Sequence, residues 1–360
     1  MPEKKLYVGT RKGLFIFERN GAGYELVRSS HLGIPVQNTL FDMRTGRLWA
    51  LLDHGHWGQK LSRSSDDGKT WEEIESPKYP DGEMVNDDTA ATMRLIWVAA
   101  TGSKDQPGRV YLGTEPGGLF QSDDDGESFE LVRSLWEHPS RKSWFGGGRD
   151  QAAIHSILVD PRNHDRVLVG VSCAGVFETT DAGKTWAVRN KGLRADFLPD
   201  PNSEVGQDPH VVVAAPSDFD TLWQQNHCGI FVSKDGGMNW ADVTTDGPAN
   251  FGFAVAVHEK RPQTAWVVPA VSDECRIAVD GKMVVCRTDD YGRTWTEHRK
   301  GLPQKDCYDV TFRHALDVSG DELAFGTTTG NLFVSGDGGE SWAAQGNYLP
   351  PVYSVHFHRG

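Results

Sequence analysis

The sequence predicts an all-β protein, a seven-bladed β-propeller of four-stranded antiparallel blades, on three observations. An eight-residue phrase of the form Ser/Thr-x-Asp-x-Gly-x-Thr/Ser/Asn-Trp/Phe returns six times, its central Asp66, Asp124, Asp181, Asp235, Asp290 and Asp337 standing 58, 57, 54, 55 and 47 residues apart. Such a period marks one supersecondary motif repeated along the chain. Before the phrases run paired apolar stretches of one style, such as Val110-Tyr-Leu-Gly-Thr114 with Gly118-Leu-Phe-Gln121 and Leu323-Ala-Phe-Gly-Thr327 with Asn331-Leu-Phe-Val334. Alternating runs of this length between Gly, Pro and Asp read as short antiparallel strands. Finally, the chain closes on Val352-Tyr-Ser-Val-His-Phe-His358, a single strand pattern with no repeat after it.

The first repeat holds Leu6-Tyr-Val-Gly-Thr10 and Gly13-Leu-Phe-Ile-Phe17 but ends in Glu18-Arg-Asn-Gly21 in place of the phrase. It lacks an inner strand, and the closing stretch supplies one. The C-terminal strand is therefore expected to complete the first blade and remove an exposed sheet edge. Each later repeat finishes on the phrase, whose chemistry is that of a tight turn. The Asp carboxylate accepts nearby backbone N–H groups, Gly takes φ > 0 without a Cβ clash, and the following hydroxyl or amide adds a local bond. The closing ring then starts the outgoing strand by burial. The six aspartates are thus read as structural.

Seven repeats of about fifty residues use residues 1–360 as one domain. Forty Gly and twelve Trp fit a turn-dense all-β chain, and no long helix-period segment stands out. Met-Pro-Glu-Lys-Lys runs directly into a strand, no stretch has the length of a signal peptide or membrane span, and the five cysteines show no CxxC spacing. A cytoplasmic protein with reduced thiols is the expectation. The net charge of −13 disfavours nucleic acid and anionic membranes as partners; a small-molecule or carbohydrate-derived substrate is the expectation. The sequence does not set the oligomeric state.

The repeated phrase resembles the Asp-box, or BNR repeat, of sialidase-like and glycosyl-hydrolase-like propellers, and the likeness covers nearly the whole chain. The resemblance implies the propeller fold, a clamp on the face away from the ligand site, and glycosidase-type hydrolysis. A genuine sialidase is not implied. Those enzymes have six blades, an Arg triad and a Phe/Tyr-Arg-Ile-Pro motif. Here Arg11 sits in Thr-Arg-Lys-Gly, and Ile34-Pro35 follows Gly33.

A ligand site is expected at the mouth lined by the starts of the inner strands. Superposing the repeats places Asn38, Arg94, His155, His210, Phe253, Asp309 and Tyr353 at one equivalent position, a polar set where packing alone would accept apolar residues. Loops on the same face add Trp57, His227 and Arg276, and the connectors 133–153, with Trp144, and 189–209 are long enough to be functional. Three chemistries compete. His155, His210 and His227 are candidate ligands of a divalent metal, Zn²⁺ suiting imidazole donors best, for hydrolase- or lyase-type chemistry on a small polar or sugar-derived substrate. In that reading His155, His210, Asp309 and Tyr353 carry catalysis, while Arg94, Asn38, Trp57, Trp144, Phe253 and Arg276 bind substrate. The second is a metal-free glycosidase-like hydrolase using paired carboxyls. The third is a noncatalytic protein-binding platform.

Overall fold

The computed structural model describes residues 4–358; the first three and last two residues of the expected 1–360 domain lie outside the described residues. Among the described residues, seven four-stranded antiparallel sheets and one two-stranded hairpin account for the fold, with helix limited to a few short turns. This is the seven-bladed β-propeller, and its blades fall into two compact units, one of Met1–Val36, Lys191–Asp196 and His210–Gly360, the other of Gln37–Asn190 and Phe197–Pro209.

The first unit carries four blades. Blade 1 orders Gly23–Ser30, Gly13–Asn20, Lys5–Thr10 and Val352–Phe357, so the C-terminal strand completes the sheet begun at the N-terminus. Leu6 pairs with Phe357 and Val8 with Val355, and all four side chains join one buried cluster. Each fully buried apolar side chain of this size contributes about 1.5–3 kcal/mol. Blade 5 runs Pro209–Ala215, Asp218–Asn226, Gly229–Ser233 and Ala241–Asp242. Blade 6 runs Gly252–Val257, Ala265–Pro269, Val285–Thr288 and Thr296–His298. Blade 7 runs Leu316–Ser319, Glu322–Gly326, Leu332–Ser335 and Ala343–Gly346.

The second unit carries blades 2, 3 and 4. These run Val36–Asp42, Arg47–Asp53, Gln59–Ser64, Glu72–Ile74; then Leu95–Thr101, Val110–Glu115, Leu119–Ser122, Glu130–Leu131; then Ile154–Val159, Val167–Val171, Gly175–Thr179, Ala187–Val188. Trp49, Leu112, Phe120 and Trp136 fill one core between blades 2 and 3, and Val169, Phe177 and Trp144 another.

All six phrases form the same hydrogen-bonded turn. In the first, Ser64 Oγ donates to Asp66 Oδ1 and accepts Gly68 N, at 2.8 and 2.7 Å. Asp66 then accepts Thr70 N and Thr70 Oγ1 at 2.8 and 2.7 Å. The expected glycines take φ of 76–92° at Gly68, Gly126, Gly183, Gly237, Gly292 and Gly339. The residue before each is left-handed too, including Ala182 at 60° and Tyr291 at 62°. Within each unit a turn tip packs on the preceding blade: a Cβ on Gly126 would stand 2.3 Å from the Trp49 ring, and Trp266 Nε1 donates to Gly338 O at 2.9 Å.

The first strands of several blades carry a β-bulge near their start. The register shifts between Ile96 and Val98, between Ile154 and Ser156, and between Gly252 and Val255. In the closing strand it skips Tyr353. A bulge re-aims the residue it releases, so Trp97, His155, Phe253 and Tyr353 share one structural position. Two of the expected equivalences slip. Arg94 stands three residues before Trp97, and Asp309 lies in irregular chain well before the strand Leu316–Ser319. Alternation of apolar residues cannot reveal an extra bulge residue, and connectors of unequal length hide the true strand start.

Candidate functional site

In the first unit, His210 is the second residue of its strand and only 4% exposed. Its Nδ1 lies 2.6 Å from Gly252 O. A carbonyl only accepts, so Nδ1 carries a proton. Phe253 stacks on the imidazole at 4.7 Å and 20°, Phe251 meets it edge-on at 5.6 Å, and Arg313 Nε donates to the His210 carbonyl at 2.7 Å. His227 stands edge-on to His210, the ring centroids 5.6 Å apart. It occupies the two-residue turn between Asp218–Asn226 and Gly229–Ser233, and its Nε2 faces Asp273 Oδ2 at 3.3 Å. The guanidinium groups of Arg276 and Arg313 lie 5.5 and 5.8 Å from the Phe253 ring centroid. His210, His227, Phe253 and Arg276 are therefore brought together on an apolar floor of Phe251, Phe253, Ala270 and Val310.

Two other sequence candidates of this unit have different surroundings. Asp309, 5% exposed, accepts Thr329 N at 3.1 Å, Thr329 Oγ1 at 2.5 Å and Asn331 Nδ2 at 2.9 Å. Its carboxylate ties down the turn between the second and third strands of blade 7. Tyr353 packs against Phe312 with centroids 5.8 Å apart.

In the second unit, His155 is fully buried. Its Nδ1 is 3.1 Å from Ser156 Oγ, and its ring meets the edge of Trp97 at 5.9 Å. Asn38 reaches the same tryptophan, donating to Trp97 O at 3.3 Å. Arg149 lies 5.3 Å over the Trp97 ring and pairs with the buried Glu115. Arg94 pairs with Asp150 at 2.6 Å on an exposed surface. Trp144 is 9% exposed, its indole taken up by Phe177, Arg141 and a bond to Ser140 Oγ; a core indole offers no stacking face to a sugar. Trp57 is 70% exposed. Asp208, just before the strand Pro209–Ala215, accepts Cys173 N at 3.1 Å.

Sequence reading missed Trp97 and Arg313, and Phe251 beside Phe253. Trp97 is concealed by the unequal connector before its strand, whereas Arg313 sits in irregular chain with no pattern to mark it. The aromatic pair Phe251-Gly-Phe253 was the one signal available.

No protein-family model matches the chain. A sialidase of Bacteroides fragilis (strain YCH46) is 27% identical over 331 residues, which cover 86% of this chain and 52% of that protein. The chain thus spans about half the length of this curated relative. Among solved structures, a putative 6-phosphogluconolactonase from Bacteroides uniformis is similar at TM-score 0.61 and 11% identity, covering 99% of this chain and all of that one. An ancestral GH74 enzyme aligns at 0.58 and 16%, covering 90% of this chain and 38% of its own. YCF48 bound to D1 peptide aligns at 0.51 and 15%, covering 88% and 83%. At these identities the structures share the fold.

Proposed function

We propose that the chain is an Asp-box propeller with hydrolase-type activity on a small polar or sugar-derived substrate, assisted by a divalent metal, zinc by preference, held at His210 and His227. The observation that carries this reading is the outward partner of each imidazole. Histidines that bind metal nearly always donate their other ring N–H to a carbonyl or carboxylate. His210 donates to Gly252 O and His227 Nε2 faces Asp273. A bound zinc ion supplies Lewis acidity and an acidified water. Phe251 and Phe253 keep the floor apolar, while Arg276 and Arg313 present cations to a polar substrate.

The sialidase and GH74 likenesses support glycosidase-type chemistry. Cysteines that form no disulfide, and the lack among the described residues of a helix long and apolar enough to cross a membrane, fit the cytoplasmic reading. The test is elemental analysis of the protein loaded with Zn²⁺, followed by a panel of glycosides and sugar lactones. His210→Ala and His227→Ala should each lower zinc affinity and turnover by about 10–100-fold with the far-UV circular dichroism intact. A parent protein that retains no metal and turns over unaffected by chelators defeats the metal reading and leaves the metal-free hydrolase. A second reading, a peptide-binding platform, draws on the exposed Phe145 and Phe197, whose rings meet at 6.4 Å. Phe145→Ala with Phe197→Ala should then abolish peptide capture.

A further inference from the structure

Blade 5 departs from its sister blades at one position. Counted from the residue that pairs with the first Ser or Thr of the phrase, the fourth residue of the second strand is Gly113 in blade 3, Gly170 in blade 4 and Gly326 in blade 7. Gly9 holds the matching place in Leu6-Tyr-Val-Gly9 of blade 1. At Gly113 and Gly326 the glycine is demanded by the strand that packs across it. A Cβ on Gly113 would come within 2.7 Å of Ile154 O, and one on Gly326 within 2.3 Å of Val352 Cγ1. Blades 2 and 6 carry Leu51 and Val268 here, and blade 5 carries Gln225. At blade 5 the facing pair is exchanged. The residue opposite Gln225, in the place of Ile154 and Val352, is Gly252, where a Cβ would stand 3.3 Å from Gln225 Oε1.

The exchange introduces a buried amide beside both histidines. Gln225 is 1% exposed, and its Nε2 lies 3.3 Å from Asn226 O, 3.2 Å from Gly229 O and 3.0 Å from Asn250 O. The first two carbonyls bracket the His227 turn. The third belongs to the segment that leads into Phe251 and Gly252, whose carbonyl orients His210. One side chain thus fixes the backbone that sets both rings. We infer that Gln225 is a positioning residue for His210 and His227, holding each imidazole in its tautomer through the backbone that orients it. The inference rests on the metal-binding reading above and deepens it.

Two variants test it in the full-length protein. Gln225→Met keeps the volume without the N–H donors, and Gln225→Gly with Gly252→Ile restores the packing of the sister blades. Imidazole tautomers are read by ¹⁵N NMR without metal, and Zn²⁺ affinity by competition with a chromophoric chelator. The parent should show His210 protonated at Nδ1 and His227 at Nε2. The variants should unfold cooperatively near the parent temperature, show mixed tautomers at His227, and bind Zn²⁺ at least about tenfold more weakly. Parent-like tautomers in a folded variant overturn the inference whatever the affinity. Loss of the fold in both variants overturns it too, because Gln225 is then a packing residue. If the parent binds no Zn²⁺, the metal reading falls and the tautomers alone decide the positioning role.

Discussion

At the scale of the residue, the six turns show one backbone shape met by different side chains. The position before the turn glycine is left-handed in all six, yet it is Gly236 and Gly338 in two turns and Ala182 and Tyr291 in two others. A side chain there costs about 1–2 kcal/mol. Replacing Ala182 by glycine removes that cost but loosens the unfolded chain by about 0.4–1 kcal/mol. Ala182→Gly should therefore raise the denaturation midpoint slightly, by about 0.5–1 kcal/mol of stability, with an unchanged denaturant slope. A lowered midpoint would mean the alanine methyl packs usefully at the turn tip. The histidines illustrate how a residue's role depends on its partners. His155 and His210 occupy matching places in their strands, but one meets a hydroxyl and an indole edge while the other is oriented by a carbonyl and a stacked phenyl ring.

At the scale of the element, the closing strand Val352–Phe357 makes the sharpest prediction. Deleting residues 352–360 removes Val352, Val355 and Phe357 from a buried cluster and leaves the backbone groups of Lys5–Thr10 without their ladder partner. The truncated protein should aggregate or lose cooperative unfolding. Melting like the parent would show that blade 1 stands on three strands. This closure was legible in the sequence because a strand pattern stood alone after the last repeat. Blade number and turn chemistry were legible for a similar reason: the phrase is local, and its hydrogen bonds run between residues two to four apart. The candidate site was only partly legible. Phe253 and His210 could be registered by counting, since their strands begin where the apolar pattern begins. Trp97 could not, since the unequal connector before its strand hides where the strand begins and set Arg94 in its place. Asp309 could not be registered, because an acidic residue in irregular chain carries no pattern that marks its partners, here Thr329 and Asn331.

At the scale of the whole molecule, the turn aspartates make the fold sensitive to acid. Bonds from Thr70, Ser128 and Thr185 hold Asp66, Asp124 and Asp181 down at about 2, from an ordinary value of 3.8. At Asp235, Asp290 and Asp337 burial works against the ionised form, yet bonds from Asn239, Thr294 and Ser341 prevail and the direction is again downward. Folded carboxylates thus release protons more readily than unfolded ones. Their stabilisation is complete above about pH 5 and drains away as the pH falls through 4 toward 2. Melting temperature should drop across that window with no matching loss from these groups between pH 6 and 9, and the Asp181→Ala protein should show a shallower acid limb. An acid limb of unchanged steepness would remove Asp181 from the account. The join in blade 1 also bears on the order of events during synthesis. Lys5–Thr10 leaves the ribosome long before its partner Val352–Phe357, so blade 1 waits with a bare edge while the other blades of its unit can form from neighbouring chain. Contacts of such long sequence separation are slow to make, and an open strand edge invites pairing with other chains. Refolding yield should therefore fall with protein concentration, and a soluble peptide of the closing strand, added during refolding, should compete for the edge.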